Sequence, residues 1–327
     1  MTTPHSPHQQ PQQPPQNPAY QYQPGGGAQA TATAPPPNGP PMGGGYASPI
    51  PVTRTHLGHA IVSEWTKIRS VRSTVWTLGV MFALVVGIGL LTALGLSGGT
   101  FTGMPLLAPG LFGLMLGQIC IITLGVLVIT SEYGTGMVRT TMTACPQRGR
   151  VLIAKSLIFF VLAFVMTTVA CTLTALINYA LLSDQDVPRY AQGLDSVKDS
   201  IQDGKIVADS GEWLGATVGA GLYVALLGLL ALAVGALLRH SAGAITTMLG
   251  LVLLPLVLAL FMVGETLEKV REILMEYSPL NGLASLYRIP MSAEDSNGTG
   301  WPLLGILAGV TVVALGFAYT LLNKRDV

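Results

Sequence analysis

Charge is scarce in this chain: Asp, Glu, Lys and Arg make up only 10% of its 327 residues, where ordinary globular domains carry about 25%. Half of the residues are hydrophobic and mean hydropathy is +0.54. That balance excludes an ordinary soluble domain and points to a membrane protein. Cysteine is scarce as well. Cys120, Cys145 and Cys171 are odd in number and widely spaced, which excludes a disulfide framework and a zinc pattern. Cys120 and Cys171 fall in apolar runs, where a thiol acts as a small hydrophobe.

Motifs that would power or catalyse a reaction are missing too. No GxxxxGK[ST] occurs, so the chain has no P-loop with which to bind ATP; HExxH and GxSxG are also absent. Six aspartates crowd the stretch 183–211 (Asp184, Asp186, Asp195, Asp199, Asp203 and Asp209) without the spacing of a calcium-binding EF-hand loop. They read as a solvated loop. Residues 1–52 have neither the apolar core nor the early basic cluster of a signal peptide. Pro, Gln, Gly and Ala dominate there. Such a segment buries too little apolar surface to offset its chain entropy and is expected to be disordered.

What the chain does have is six apolar runs, at about 75–96, 106–130, 154–182, 213–238, 242–263 and 301–322. A helix of about 20 apolar residues crosses about 30 Å of hydrocarbon. Continuous runs of this length exclude the alternating strands of a barrel, and only helices satisfy the backbone in lipid over such distances. The expected fold is therefore an all-α membrane domain of six spans over residues 53–327. No Asp, Glu, Lys, Arg or His lies well inside any run, which argues against an ion-coupled carrier and against an intramembrane enzyme. Milder polar residues such as Gln118, Thr167 and Asn178 are expected to satisfy neighbouring helices. Gly215, Gly219 and Gly235 are expected to let helices approach closely, and Pro255 to kink the fifth run.

Loop charge orients the domain. With the N-terminus inside, the inner segments hold eleven Lys and Arg against three acids, net +8; the outer loops hold six against thirteen, net −7. By the positive-inside rule both termini are expected in the cytoplasm of a multi-pass cell-membrane protein. Before the first run, Leu57, Ile61, Trp65, Ile68 and Val71 recur at spacings of three and four. This predicts an interfacial helix with Trp65 at the headgroup boundary and Lys67, Arg69 and Arg72 toward anionic lipid. Glu64 is expected on the polar side. Between the fifth and sixth runs, Leu267, Val270, Leu274 and Tyr277 predict a short amphipathic helix that lies on the outer surface or caps the bundle.

The inner segment between the second and third runs, ITSEYGTGMVRTTMTACPQRGR (129–150), stands out. Glu132 follows directly on a span, Gly134 and Gly136 free the backbone to turn, and MVRTTMTA fits a short helix before Pro146. A plain connection between helices needs only a few residues. This one reads as a docking element, with Arg139, Arg148 and Arg150 toward the cytoplasm.

Four motifs carry a resemblance to the permeases of type-2 ABC transporters: SEWTKIRSVRSTVWTL (63–78), ITSEYGTGMVRTTMTACPQRGRVLIAK (129–155), LRHSAGAITTMLGLVLLPL (238–256) and YSPLNGLASL (277–286). The resemblance covers about 53–327. It implies a six-span subunit of an exporter that pairs with a second permease copy, identical or not. Two copies of a separate ATP-binding subunit would bind the ATP, with no cofactor in this chain. It further implies that Glu132, Tyr133, Gly134, Thr135, Gly136, Arg139 and Arg148 form the ATPase-coupling contact, and that 56–74 is the connecting helix on membrane lipid. No nucleic-acid partner is expected. The competing expectation is a non-transporting scaffold or sensor that recruits cytoplasmic partners through its tail and hinge.

Overall fold

A computed structural model describes residues 56–98, 101, 103–137, 140, 148–183, 185–188, 201–202, 204–289, 291 and 300–324. The expected disordered tail (1–52), Cys145 and Arg139 lie outside the described residues, as does most of the short helix expected before Pro146. Among the described residues the regular structure is helical apart from one hairpin of two-residue strands, β1 (Ile201–Gln202) and β2 (Lys205–Ile206), and a single bridge from Asp186 to Lys205. The helices are α1 (Leu57–Ser70), α2 (Arg72–Ser97), α3 (Gly110–Gly134), α4 (Arg148–Leu182), α5 (Ser210–Leu238), α6 (Ser241–Phe261), α7 (Glu265–Glu276), α8 (Pro279–Leu286) and α9 (Trp301–Lys324). Six of them, α2 to α6 and α9, are long and apolar enough to cross a membrane. The protein is a multi-pass membrane protein of the expected all-α class.

The core is organised by α5. Of its most apolar stretch 72% is buried, against 17–28% for α2, α6 and α9, so α5 is the central helix and those three present their sides to lipid. Within lipid the hydrophobic effect does not favour one apolar contact over another, and close packing decides which helices meet. The sequence of α5 is accordingly rich in glycine and alanine. The carbonyl of its Gly228 occupies the place where a side chain on Gly125 of α3 would begin, so these two helices cross backbone to backbone. At the start of α5 the chain takes one π-helical turn, Gly215–Gly219, where Gly215 lies under the carbonyl of Leu286. The close approaches expected at Gly215, Gly219 and Gly235 are all present.

Length departs from expectation in α4. It begins at Arg148 rather than near 154 and runs 35 residues, about 52 Å at 1.5 Å per residue. That is far longer than the hydrocarbon layer. Its first turns therefore project beyond the lipid on the face that carries α1.

The opposite face is closed by α8, not by α7. No residue of α7 is buried, whereas Leu280 to Leu286 of α8 all are. Ser278 caps α8 by accepting the Asn281 N–H at 3.0 Å. The buried Asn281 amide donates to the Glu276 carbonyl at 3.0 Å and accepts from the Met291 N–H at 2.6 Å.

These contacts predict which glycines tolerate a side chain. Gly125→Leu should lower unfolding stability by about 1–3 kcal/mol, the usual range for overpacking. Gly305→Leu on α9, where nothing lies within reach of an added carbon, should be neutral. Thermal unfolding of the two variants in the same detergent distinguishes them; equal effects would contradict the assigned α3–α5 crossing.

Candidate functional site

Helical periodicity on α1 leads to the site. Ile61, Glu64 and Ile68 recur at three and four residues and so share one face. That face turns inward: Ile68 and Glu64 are buried, while Trp65 and Arg69 are exposed. Of the expected apolar stripe, Ile61 and Ile68 turn inward, whereas Leu57, Trp65 and Val71 are exposed. Glu64, expected on the polar side, is only 3% exposed. A buried carboxylate requires a cation, and it finds one 91 residues away.

That cation is Lys155, in the projecting first turns of α4. It donates to Glu64 Oε2 at 2.7 Å and to Glu132 Oε1 at 3.0 Å. Lys67 completes the set, donating to Glu64 Oε1 at 2.8 Å and to Glu132 Oε1 at 3.1 Å. Two acids and two bases alternate around a closed ring of zero net charge. Its members come from α1, from the last turn of α3 and from α4. Burial by itself would raise the Glu64 carboxyl, but Lys155 and Lys67 hold it below the ordinary value. Burial would lower Lys67, but Glu64 and Glu132 hold it above.

The hinge adds a second link. α3 ends at Gly134; Thr135 is the C-cap, its N–H and hydroxyl both reaching the Ser131 carbonyl at 3.1 and 2.9 Å. Gly136 then takes a left-handed φ of 70°, which glycine adopts without the cost a side chain imposes. Just before the cap, the Tyr133 ring lies under the Arg239 guanidinium, 5.2 Å from its carbon. Arg239 caps α5 with φ of 55° in the turn to α6. Glu132 and Tyr133 therefore join the hinge to four helices: α1, α4, α5 and α3 itself.

Of the residues singled out in the sequence, Glu132, Tyr133 and Lys67 are brought together. Gly134, Thr135 and Gly136 are exposed at the helix end. Trp65, Arg69 and Arg72 are exposed along and just after α1. Arg148 is the first residue of α4; its side chain, like Arg139, lies outside the described residues. Sequence reasoning missed Glu64 and Lys155. The one available signal was Glu64 at the inward position of the periodic stripe; nothing marked its distant partner.

A second buried acid was also missed, on the other face. Glu212, in the first turn of α5, accepts the Leu107 N–H at 2.9 Å, and Asn178 of α4 donates to the Leu107 carbonyl at 3.3 Å. Asp209 caps α5 through the Glu212 N–H at 2.7 Å and receives Arg288 Nη2 on both carboxylate oxygens at 2.7 Å. Burial alone would raise Asp209, while the Glu212 N–H and Arg288 hold it below the ordinary value. No group of three or more possible metal ligands occurs among the described residues. No family model matches the chain, and no curated protein matches it.

Two outcomes follow from the ring. Lys155→Met leaves two carboxylates facing one lysine and should cost about 3–5 kcal/mol, whereas Glu64→Leu with Lys155→Met, which spares the Lys67–Glu132 pair, should recover most of that loss. Unfolding of the purified full chain measures both, and a double variant no better than the single one would refute the ring as a unit. For pH, Glu64 is depressed when folded, so its contribution is full above 4.5 and fades as pH falls through its lower folded value. Lys67 is raised when folded, so its contribution is full below 10.5 and is lost as pH climbs through its higher folded value. Docking of α1, followed by Trp65 fluorescence, should hold between those limits and loosen on acidification below them. Release near pH 6 would be incompatible with this ring.

Proposed function

We propose that this chain is the membrane-spanning permease subunit of an ATP-binding cassette exporter, coupled to a separate ATPase through the cytoplasmic loop 131–150. The observation that carries the reading is the buried ring. Glu132, at the mouth of that loop, is held by Lys67 and Lys155, so a push on the hinge reaches α1 and α4 through charges that separate only at high cost. A lever of this kind moves helices as rigid bodies, the usual form of alternating access.

Three features of the sequence support it. The chain has no P-loop, so the energy comes from another polypeptide. The loop charges of +8 and −7 support a cell-membrane protein whose hinge and both termini face the cytoplasm. The four motifs resembling type-2 permeases fall at the boundaries where coupling requires them. On this reading the exposed Gly134–Gly136 segment with Arg139 and Arg148 seats on the ATPase. The arginines meet acids at the rim, where charge sets partner choice and association rate more than affinity. A second permease copy completes the pathway. ATP binds the partner, not this chain.

The test is purification of the tagged full chain from its native membranes. A spanless P-loop ATPase should accompany it, and the complex in vesicles should hydrolyse ATP. Arg139→Ala combined with Glu132→Ala should lower ATP-driven transport about tenfold, the range of typical coupling energies, with the chain still folded. Assembly and transport both intact in that variant would defeat the coupling assignment. Normal function without any ATPase, abolished by removal of residues 1–50, would favour a scaffold.

A further inference from the structure

Helix α7 turns its apolar side outward. Leu267, Val270, Ile273 and, just past its last turn, Tyr277 recur at spacings of three and four and so share one face. Each is between 42% and 57% exposed. Glu265, Glu268, Glu272 and Glu276 fall on the other side with Lys269 and Arg271. In the second half of the helix that polar side is the covered one: Arg271, Glu272 and Met275 are half-buried, while Ile273 and Tyr277 stay exposed. A helix on the surface of a soluble domain does the reverse, with its apolar stripe on the core and its charges in water. A stripe turned outward needs apolar surroundings other than its own bundle.

Position supplies them. Starting from the α1 face, the five crossings α2 to α6 bring the end of α6 to the α8 face. The last turns of α6 are open to lipid, with Leu258, Leu260 and Phe261 exposed and Val263 exposed just beyond. Gly264 then turns the chain with a φ of 107°. At no more than about 3.5 Å per residue, Glu265 begins within about 14 Å of Phe261, at the edge of the hydrocarbon layer. From Phe261 through Val263 to the α7 stripe, one apolar surface continues. Tyr277 ends it, a residue type that gathers at the membrane–water boundary. The 12 residues of α7 span about 18 Å, too short to cross the layer, so its stripe meets lipid only if the helix lies along the boundary. Charge is not the attraction. Four acids against two bases leave α7 at net −2, whereas surface helices that seek anionic lipid are rich in Lys and Arg.

We propose that α7 is a membrane-contact helix, seated in the headgroup boundary of the phospholipid leaflet on the α8 face, with its stripe toward the acyl chains. It also holds the cap at that level. The Ser278 N–H donates to the Met275 carbonyl at 3.2 Å and the Asn281 amide to the Glu276 carbonyl at 3.0 Å, so the end of α7 is tied to the start of α8. The other end of α8 is tied to α5 through Arg288 and Asp209. The buried cap is thus fixed between the lipid surface and the central helix. This inference requires only spanning helices and stands apart from the transport reading.

The experiment places the full chain in nanodiscs of zwitterionic phospholipid. A fluorescent amino acid is introduced singly at Leu267, Val270 or Ile273 on the stripe, and at Glu265, Lys269 or Glu272 on the polar side. Two quenchers are compared: a nitroxide on the upper acyl chain of the phospholipid, and iodide in the water. The nitroxide should quench the stripe positions several times more than the polar ones, and iodide should give the opposite pattern. Both patterns should persist at about 1 M salt, where exposed charges are screened. Val270→Glu with Ile273→Glu should lift the helix, so that nitroxide quenching at Leu267 falls to the level at Glu265 and amide exchange over Leu280–Leu286 quickens. Stripe positions that iodide reaches as readily as the polar ones overturn the proposal in the otherwise unaltered chain, whatever the double variant does. Stripe positions that neither quencher reaches, because protein covers them, overturn it equally. No ATPase takes part, so failure here leaves the coupling proposal standing, and the reverse.

Discussion

The Lys155 ammonium is the constraint on which the charged face of this molecule depends. It is almost fully buried, and each of its two carboxylates arrives from a different element. A buried ion needs every partner in place, because the cost of desolvation is recovered only with full pairing. That requirement fixes where α1 lies, where α3 ends and how far α4 extends past the lipid. Lys67, sharing both carboxylates, closes the ring and leaves no net charge to be solvated. Three elements far apart in sequence behave at this point as one body.

Below the ring a different physics holds the helices. Lipid offers apolar surface everywhere, so burial alone does not order a bundle. Shape does. Gly125 and Gly228 let two backbones touch, and Gly215 admits the end of α8 beneath the first turns of α5. Around this tight centre the outer helices keep broad leucine and valine faces for lipid. On the far face, Asp209 and Arg288 join the start of α5 to the end of α8, while Glu212 and Asn178 hold both backbone groups of Leu107. Charges gather at the two ends of the bundle, where water or a specific partner meets them, and the middle is left to packing.

The face with α1 carries an exposed turn, Gly134–Gly136, backed directly by the ring and by the Tyr133–Arg239 contact. On the proposed reading, force applied to that turn passes to α4 and to the turn between α5 and α6, and that force is ATPase closure.

Much of this was legible in the residues alone. Span number followed from hydropathy, because a 20-residue apolar run has only one stable form in lipid. The close glycines and the amphipathic periods of α1 and α7 followed from spacing within single helices. What periodicity could not supply was any relation between helices. Glu64 looked like a solvent-facing acid, since its partner Lys155 lies 91 residues away and no local pattern links them. Glu212 carried no local signal at all, although it reaches across to Leu107. The amphipathic helix α7 had two possible resting places, and only the neighbouring α8 shows that the cap is made elsewhere. Local patterns dictate which segments are helical and apolar, because those properties depend on neighbours in the chain. Pairing of buried charges and closing of grooves depend on neighbours in space, and only the folded arrangement supplies them.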